Sequence, residues 1–338
     1  MVHALLAFAV VCIALTFSAR PACAGAPREG SRFVNPAGPG DRGDVTDMFP
    51  FLVRKIGATI AGREGGAAIV PFDRSAVEQN PSITWIGHAT FFVRMDGVTF
   101  LTDPIFSDRA SPVSFAGPSR LVPPGIPLEA LPTLPKIDFV VISHDHYDHA
   151  DVDSIAALAA LGARFFVPLG LGELVRDAGG EAVELDWWTS AEHAGVKIHC
   201  VPAQHFSGRS LVGRDRTLWA GWVVEGPTKR FYHAGDTGYF DGFREIGRRL
   251  GPIDLAAVPI GAYLPEKIMR FVHMNPEEAL AAAADVGARD VVPMHFGTFD
   301  LTEEPLDEPA ERFRSEAARR GLDPRHARVL AVGETRTW

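Results

Sequence analysis

The sequence predicts an α+β fold in which two mixed β-sheets pack face to face and helices cover their outer surfaces. Strand-like and helical runs alternate over two halves of the chain, and this order favours two packed sheets over a single parallel sheet. The 338 residues are 46% hydrophobic and 22% charged, which is typical of a globular protein. A chain of this length can bury a substantial core.

The first 24 residues have the pattern of an export signal. An apolar run at 5–17 is followed by Ala22-Cys23-Ala24, which fits the small-x-small pattern of a signal-peptidase site. The run is too short for a comfortable membrane span. We therefore expect residues 1–24 to be cleaved and the protein to be exported, periplasmic or secreted. An uncleaved membrane anchor is the alternative.

Charge and cysteine content narrow the possible partners. Loss of residues 1–24 would remove Arg20 and no acidic residue, which takes the formal net charge from −9 to −10. An acidic chain without a basic stripe gains little attraction to nucleic acid, so we expect no nucleic-acid partner. Cys12 and Cys23 would leave with the signal, and Cys200 would then have no intramolecular disulfide partner.

Residues 25–80 are expected to form an irregular extension, whose apolar stretch at 49–56 packs on the body, and residues 81–338 the main domain. Asp96-Gly97 predicts a β-hairpin. The Pro-rich stretch 104–135 predicts a long irregular loop. Strands are predicted at 83–87, 90–95, 98–101, 137–142, 164–167, 182–185, 196–201, 218–224, 229–233, 254–260, 290–294 and 328–332. Helices are predicted at 152–161, 169–177, 240–250, 276–286 and 309–320.

The most informative segment follows the apolar run 137–142. It reads His144-Asp145-His146-Tyr147-Asp148-His149 and holds four potential metal ligands within six residues. A buried strand that ends in such a segment brings imidazoles and a carboxylate around one point. These groups suit zinc and its first-row neighbours. The alternative is a histidine-rich polar loop on the surface.

Three further ligand candidates, His205, Asp236 and His295, each follow a predicted strand. Taken singly, a histidine at a strand end is more often a hydrogen-bonded structural residue, and Gly-Asp-Thr-Gly around Asp236 is compatible with a tight turn. Taken together with the first motif, they supply five histidines and two aspartates, enough for two metal ions. The sequence therefore predicts a metallohydrolase. Ser143 lacks the strand-turn-helix context of a serine nucleophile.

In order and spacing these residues resemble the ligand pattern of the metallo-β-lactamase superfamily. Further segments resemble one of its families, the N-acylphosphatidylethanolamine-hydrolysing phospholipases D. These segments lie at 85–90, 100–106, 167–170, 184–188, 234–239, 259–263 and 273–278. The resemblance covers roughly residues 80–335 and implies a metallo-β-lactamase-like αββα sandwich, which agrees with the predicted element order.

The resemblance implies a centre of two zinc ions per chain. It assigns His144, His146 and His205 to the first ion, Asp148, His149 and His295 to the second, and Asp236 to both. A hydroxide between the ions would attack phosphorus in line. Asp148 and Asp236 are the predicted catalytic residues, and Asp148 could also orient the attacking water.

Four neighbours are expected to support the centre or contact substrate. Asp103 is a candidate to orient a ligand imidazole, or else a turn residue before Pro104. His88 is expected to shape the adjacent loop, and Tyr147 to contact substrate or pack on the ligand loop. His273 resembles a family position near the substrate head group. The remaining histidines are expected to be incidental: His193, His199, His233 and His326.

The function implied by the resemblance is hydrolysis of N-acylphosphatidylethanolamine to an N-acylethanolamine and phosphatidic acid. A hydrolase of lactones or soluble phosphodiesters is the alternative, because one metal site on this fold serves many substrates. A metal-dependent sensor without turnover would need closed coordination at both metals. The expected partner is thus a phospholipid or another small ester. Peripheral membrane contact and oligomerisation are left open.

Overall fold

The structure is a computed structural model that describes residues 25–38, 45–61, 63–209 and 213–338. The expected export signal, with its apolar run at 5–17, lies outside the described residues. Within the described ranges, no helix combines the length and the apolar character needed to cross a bilayer.

The described N-terminal region contains more regular structure than the sequence led us to expect. A small hairpin is followed by one long and one short helix, namely β1 Arg28–Glu29, β2 Arg32–Phe33, α1 Val45–Ala61 and α2 Arg74–Val77. The expectation of an irregular segment was therefore wrong for 45–61. Proline and glycine are disfavoured inside helices, so Pro50 and Gly57 weaken the helical signal of α1 in the sequence. The apolar stretch 49–56 lies within α1, which is held to the body by an ion pair of 2.6 Å between Lys55 and Asp300.

Two mixed β-sheets pack face to face, as predicted. The first consists of β3 Ser82–Gly87, β4 Thr90–Met95, β5 Val98–Thr102, β6 Phe139–Val141, β7 Arg164–Pro168, β8 Glu181–Leu185 and β15 Thr335–Thr337, in the order β15-β3-β4-β5-β6-β7-β8. The second consists of β9 Ser190–His193, β10 Val196–Val201, β11 Gly221–Glu225, β12 Arg230–His233, β13 Ile253–Pro259 and β14 Ala288–Met294, in the order β14-β13-β12-β11-β10-β9.

Helices cover both outer faces and complete the αββα sandwich. They are α3 Val152–Ala160, α4 Gly172–Asp177, α5 Gly242–Leu250, α6 Glu266–Met269, α7 Pro276–Asp285 and α8 Glu308–Arg319. Helices α3 and α4 bury Ile155 and Val175 against the first sheet, whereas α7 packs on β13 and β14 of the second. Asn275 caps α7 through a capping box with Glu278, and Pro276 occupies its first turn.

The two faces of the first sheet divide the apolar residues between two cores. Along β6, Phe139 and Val141 belong to the core between the sheets, while Val140 faces the core under α3 and α4. Successive side chains of the strand thus point to opposite faces of the sheet. The sequence shows a continuous apolar run instead of an alternating pattern, because both faces are buried. The strand before the histidine motif is thus held from both sides.

Several predicted boundaries need correction. The predicted strand at 328–332 is wrong, because the last strand is β15, and 328–332 makes only an isolated bridge through Val332 to Ile69. Its apolar pattern reflects burial of Leu330 and Val332 rather than strand pairing. Strand β9 was missed, β11 begins at Gly221 and α4 at Gly172. The loop 104–135 is irregular except for a 3₁₀ helix at Leu128–Thr133, and the Asp96-Gly97 hairpin is confirmed.

Truncation of Phe139 should strongly destabilise the fold. Its ring stacks on Phe100 with centroids 4.8 Å apart and contacts the edge of Phe166, so Phe139→Ala should lower the free energy of unfolding by about 3–5 kcal/mol. The control is Phe115→Ala, whose ring is 82% exposed and which should change stability by less than about 0.5 kcal/mol. Chemical denaturation measures both, and equal effects would contradict this account of the core.

Candidate metal centre

Loops at one edge of the two sheets bring the predicted residues together. In the first sheet, Asp103 follows β5 and the motif 144–149 follows β6. In the second sheet, His205, Asp236 and His295 follow β10, β12 and β14. Within each sheet these strands run in the same direction, since they are either parallel neighbours or separated by an intervening antiparallel strand, and the residues that follow them in the two sheets lie close together. Their carboxyl ends therefore meet at one edge of the sandwich.

The first ligand group consists of His144, His146, His205 and Asp236, whose candidate ligand atoms lie within 4.8 Å of one another. His146 Nδ1 is 2.7 Å from His144 Nε2 and 3.2 Å from His205 Nε2. Burial, together with the neighbouring histidines, holds the pKa of His144 and of His205 well below the ordinary value. Both imidazoles are therefore neutral, which is the form that binds metal.

The second ligand group contains Asp148, His149 and His295. Asp148 Oδ2 lies 3.4 Å from Nε2 of each of these two histidines. Asp236 lies between the groups: its Oδ2 is 3.1 Å from His295 Nε2, 3.3 Å from His149 Nε2 and 3.7 Å from His205 Nε2. All seven predicted ligands therefore converge, in the two groups that the resemblance implies and with Asp236 in the shared position.

The donor atoms of this cluster fit metal ions. Among the described residues, His149 Nε2, His295 Nε2 and Asp236 Oδ1 are buried and have no hydrogen-bond partner. A buried polar atom without a partner costs about 1–3 kcal/mol, and a cation bound among these three residues would offset that cost. Imidazole nitrogen and carboxylate oxygen are the donors preferred by zinc and its neighbours.

Protons and metal ions compete for this site. Burial opposes protonation of His295, but the carboxylates of Asp236 and Asp148 outweigh it and raise the pKa of His295 to about 9. Burial opposes protonation of His149 as well, and the same two carboxylates, with Asp103, hold its pKa well above the ordinary value. Without metal, both imidazoles therefore carry protons at neutral pH, and these protons must leave before the nitrogens can bind a cation.

Metal binding at neutral pH should release protons for this reason. The apparent affinity should rise with pH up to about 9, where His295 loses its proton unaided. Titration of metal-free protein with Zn²⁺ in buffers of different ionisation enthalpy measures the release. A binding enthalpy that does not depend on the buffer, together with a pH-independent affinity, would contradict it.

Asp103 supports the metal centre through hydrogen bonds. Its Oδ2 lies 2.8 Å from His149 Nδ1 and 2.7 Å from His233 Nε2, while Oδ1 accepts a hydrogen bond from the backbone N–H of Ser143. Burial would raise the pKa of Asp103, but His233 and His149 keep it below the usual range. The prediction that Asp103 supports a ligand imidazole agrees with this geometry. The expectation that His233 is incidental was wrong, since it is fully buried against Asp103.

Replacement of Asp103 by Asn should weaken metal binding. The amide keeps the shape but cannot serve as a charged acceptor for two imidazoles, and loss of such a partner typically costs about 10–100-fold in metal affinity. The matched control is Asp108→Asn, in which an exposed carboxylate on the same loop is neutralised. Competition with a chromophoric chelator measures both. Equal affinities in Asp103→Asn and the parent would show that the carboxylate does not orient His149.

His88 has a closer role than loop shaping alone. Its Nε2 is 2.8 Å from Asp148 Oδ2, its backbone N–H donates to Thr298 Oγ1, and its carbonyl accepts from the N–H of His295. Burial, reinforced by His295, lowers the pKa of His88 to about 3. His88 is therefore neutral and donates its Nε2–H to the Asp148 carboxylate. Its φ of +52° is in the left-handed region, as are those of Asp103 and His295, a concentration of strained backbone typical of functional sites.

The other expected neighbours divide between the centre and its surroundings. His273 is buried, with Nδ1 3.9 Å from Asp236 Oδ2. The Tyr147 hydroxyl donates to the Arg209 carbonyl, and the Arg209 guanidinium lies over the Tyr147 ring. The Tyr147 side chain therefore packs against Arg209. The remaining three histidines lie elsewhere and contact Asp138, Glu225 and Asp290, respectively: His193, His199 and His326.

Comparison with known proteins agrees with this geometry. A curated nematode relative, the N-acyl-phosphatidylethanolamine-hydrolyzing phospholipase D 1 of Caenorhabditis elegans, is 44% identical over 245 residues, 68% of this chain and 68% of its own length. An uncharacterised protein of Mycobacterium bovis is 47% identical over 255 residues, 73% of this chain and 66% of its own. The chain thus matches about two thirds of the length of these relatives.

A solved structure shows the same fold. The metallohydrolase Igni18 from the archaeon Ignicoccus hospitalis superposes with a TM-score of 0.58 at 28% identity, over 76% of this chain and 97% of its own.

Fold and site together define a metal-dependent hydrolase. Residues 99–296 match the sequence model of the beta-lactamase superfamily domain. The chain belongs to this superfamily, in the family that includes the nematode phospholipase D.

Proposed function

We propose that the protein is a dizinc phosphodiesterase that hydrolyses N-acylphosphatidylethanolamine to an N-acylethanolamine and phosphatidic acid. The observation that carries this proposal is the 44% identity to a phospholipase D of that specificity, together with the convergence of all seven predicted ligands at one edge of the sandwich. All five histidines among these ligands also lie within 4.8 Å of the Asp236 carboxylate.

Two zinc ions would be held by residues from both sheets. His144, His146 and His205 would hold one ion, Asp148, His149 and His295 the other, and Asp236 both. Such ions lower the pKa of water and neutralise the charge on phosphoryl oxygens. The ligand residues would hold these ions on loops that are each anchored at the end of a strand.

The side chains around this centre would position the reacting groups. His88 donates to Asp148 Oδ2 and so directs the other oxygen of that carboxylate, which can accept a proton from the attacking water. His273 lies beside Asp236, with Nδ1 3.9 Å from Oδ2, and its imidazole can donate to a phosphoryl oxygen. Burial lowers the pKa of His273 to about 4, so it contacts the substrate as a neutral hydrogen-bond donor.

Exposed apolar side chains on two surface segments suit contact with a lipid substrate. Phe115, on the Pro-rich loop, is 82% exposed and Phe49, on α1, is 66% exposed. Both segments contact the region that follows β14, because Arg120 bridges to Phe299 and Lys55 of α1 pairs with Asp300. Exposed apolar side chains of this kind favour peripheral contact with lipid.

Replacement of Asp148 by Asn should abolish most of the activity. Zinc-loaded protein incubated with N-acylphosphatidylethanolamine in mixed micelles should release an N-acylethanolamine and phosphatidic acid, identified by mass. Asp148→Asn should lower the rate by about 10²–10⁴-fold, since the amide cannot accept a proton. The control is Asp153→Asn, which changes an exposed carboxylate on α3 and should retain full activity.

Metal content separates the outcomes of this assay. Two zinc ions per chain without cleavage of the lipid would overturn the proposed substrate, and lactones and soluble phosphodiesters would then be assayed with the same variants. One ion per chain in the active enzyme would overturn the dizinc assignment. Activity that persists in Asp148→Asn would show that this carboxylate does not take part in the reaction.

A further inference from the structure

The segment that follows the expected signal is built into the body of the protein. We call residues 25–35 the N-terminal strap. Within it, Phe33 is only 2% exposed and belongs to the core between the sheets. The Phe33 N–H donates to the Asp215 carbonyl at 2.7 Å, and Val34 is tied back to Pro27 within the strap. The strap is therefore a packed element of the hydrolase domain.

One end of the strap holds the backbone of a proposed zinc ligand. Asn35 is 4% exposed. Its Nδ2 donates to the His205 carbonyl at 2.7 Å, and its Oδ1 accepts from the His205 N–H at 2.9 Å. Trp219 Nε1 donates to the same Oδ1 at 3.0 Å. Asn35 thus pairs with both backbone polar groups of His205 and fixes the position from which its imidazole extends.

The other end of the strap lies on Asp186. The Ala26 N–H donates to Asp186 Oδ1 at 2.9 Å, and this oxygen also accepts from the Trp187 N–H. Gly25 touches the second oxygen so closely that a Cβ at this position would be 2.1 Å from Asp186 Oδ2. The backbone nitrogen of Gly25 is two covalent bonds from that Cβ position and therefore lies within about 5 Å of Oδ2.

Asp186 has no counter-ion among the described residues. The ion pairs found there join other carboxylates to their cations. It belongs to the segment Leu185-Asp186-Trp187-Trp188, which resembles the phospholipase D family but contributes no ligand to the metal centre. A half-buried carboxylate without a cation, beside the residue that would become the amino terminus, is in position to bind an ammonium group.

We propose that cleavage after Ala24 creates the partner of Asp186. Hydrolysis of the Ala24–Gly25 peptide bond by an export peptidase adds the water hydroxyl to the Ala24 carbonyl carbon and leaves the nitrogen on Gly25. That nitrogen becomes an α-ammonium group, which forms an ion pair with Asp186. The uncut chain has only a neutral amide there. Processing therefore fastens the strap, independently of which ester the enzyme hydrolyses.

A short hydrogen-bond path connects this ion pair with the metal centre. Trp187 Nε1 donates to the Trp219 carbonyl at 2.7 Å, and Trp219 Nε1 donates to Asn35, which pairs with His205. The two indole rings meet edge to face with centroids 6.3 Å apart. Fastening the strap at Gly25 thus limits movement of His205, and the processed chain should retain its metal longer than a chain whose terminus is neutral.

A double-mutant cycle tests the pair. Mass spectrometry first locates the amino terminus of the exported protein, which should be Gly25. The chain 25–338 is then compared with the same chain acetylated at its α-amino group, each with Asp186 and with Asp186→Asn. With Asp186, acetylation should lower the melting temperature by about 2 °C and speed metal loss to a chelator at least about twofold. With Asp186→Asn, acetylation should change neither quantity.

Asp177→Asn, which neutralises an exposed carboxylate at the end of α4, is the matched control and should leave the effect of acetylation intact. The proposal is overturned if the exported chain begins elsewhere than at Gly25. It is also overturned if acetylation has the same effect with Asp186 and with Asp186→Asn, or no effect with either. None of these measurements depends on the substrate, so failure of the lipid assay would leave the test unchanged.

Discussion

Three closely spaced carboxylates impose the constraint on which the rest of the structure depends. Asp103 and Asp236 are buried at one edge of the sandwich, and Asp148 beside them is partly buried. Buried charges are stable only when they are paired. Imidazoles from five loops surround them, yet neutral imidazoles compensate no charge. Protons or metal ions must therefore supply the positive charge, and without metal the carboxylates of Asp236 and Asp148 raise the pKa of His295 to about 9 despite its burial.

The buried strands of both sheets allow the protein to hold this charge cluster in strained backbone. Asp103, His88 and His295 all adopt positive φ, a conformation that costs about 1–3 kcal/mol at each such residue. Each of these residues directly follows, or turns back into, a strand whose side chains are buried on both faces. Burial of large apolar side chains such as Trp85 and Phe139 offsets the strain. Asp103 also stabilises the centre, because its hydrogen bonds fix the imidazole rings of His149 and His233.

The sequence predicted the sandwich, most strand positions and the seven ligand candidates, because these signals are local. A histidine motif behind an apolar run and a Gly-Asp-Thr-Gly turn are visible in short windows. His233 and Asn35 were missed for the opposite reason. Their partners, Asp103 and His205, lie 130 and 170 residues away along the chain, and no short pattern marks such pairs. Helix α1 and strand β15 were missed because Pro50 and the apolar run 329–332 outweighed weaker local signals.

Asp103 joins the two sheets as well as the residues of one site. It follows a strand of the first sheet, yet it binds His233 from the second sheet and His149 from the first. The ligand groups are likewise drawn from both sheets. Cations bound there would link the two sheets, since any ligand that binds only the folded state stabilises it. A chain without metal should therefore be less stable as well as inactive. The abundance of folded enzyme should then follow the metal supply of its compartment.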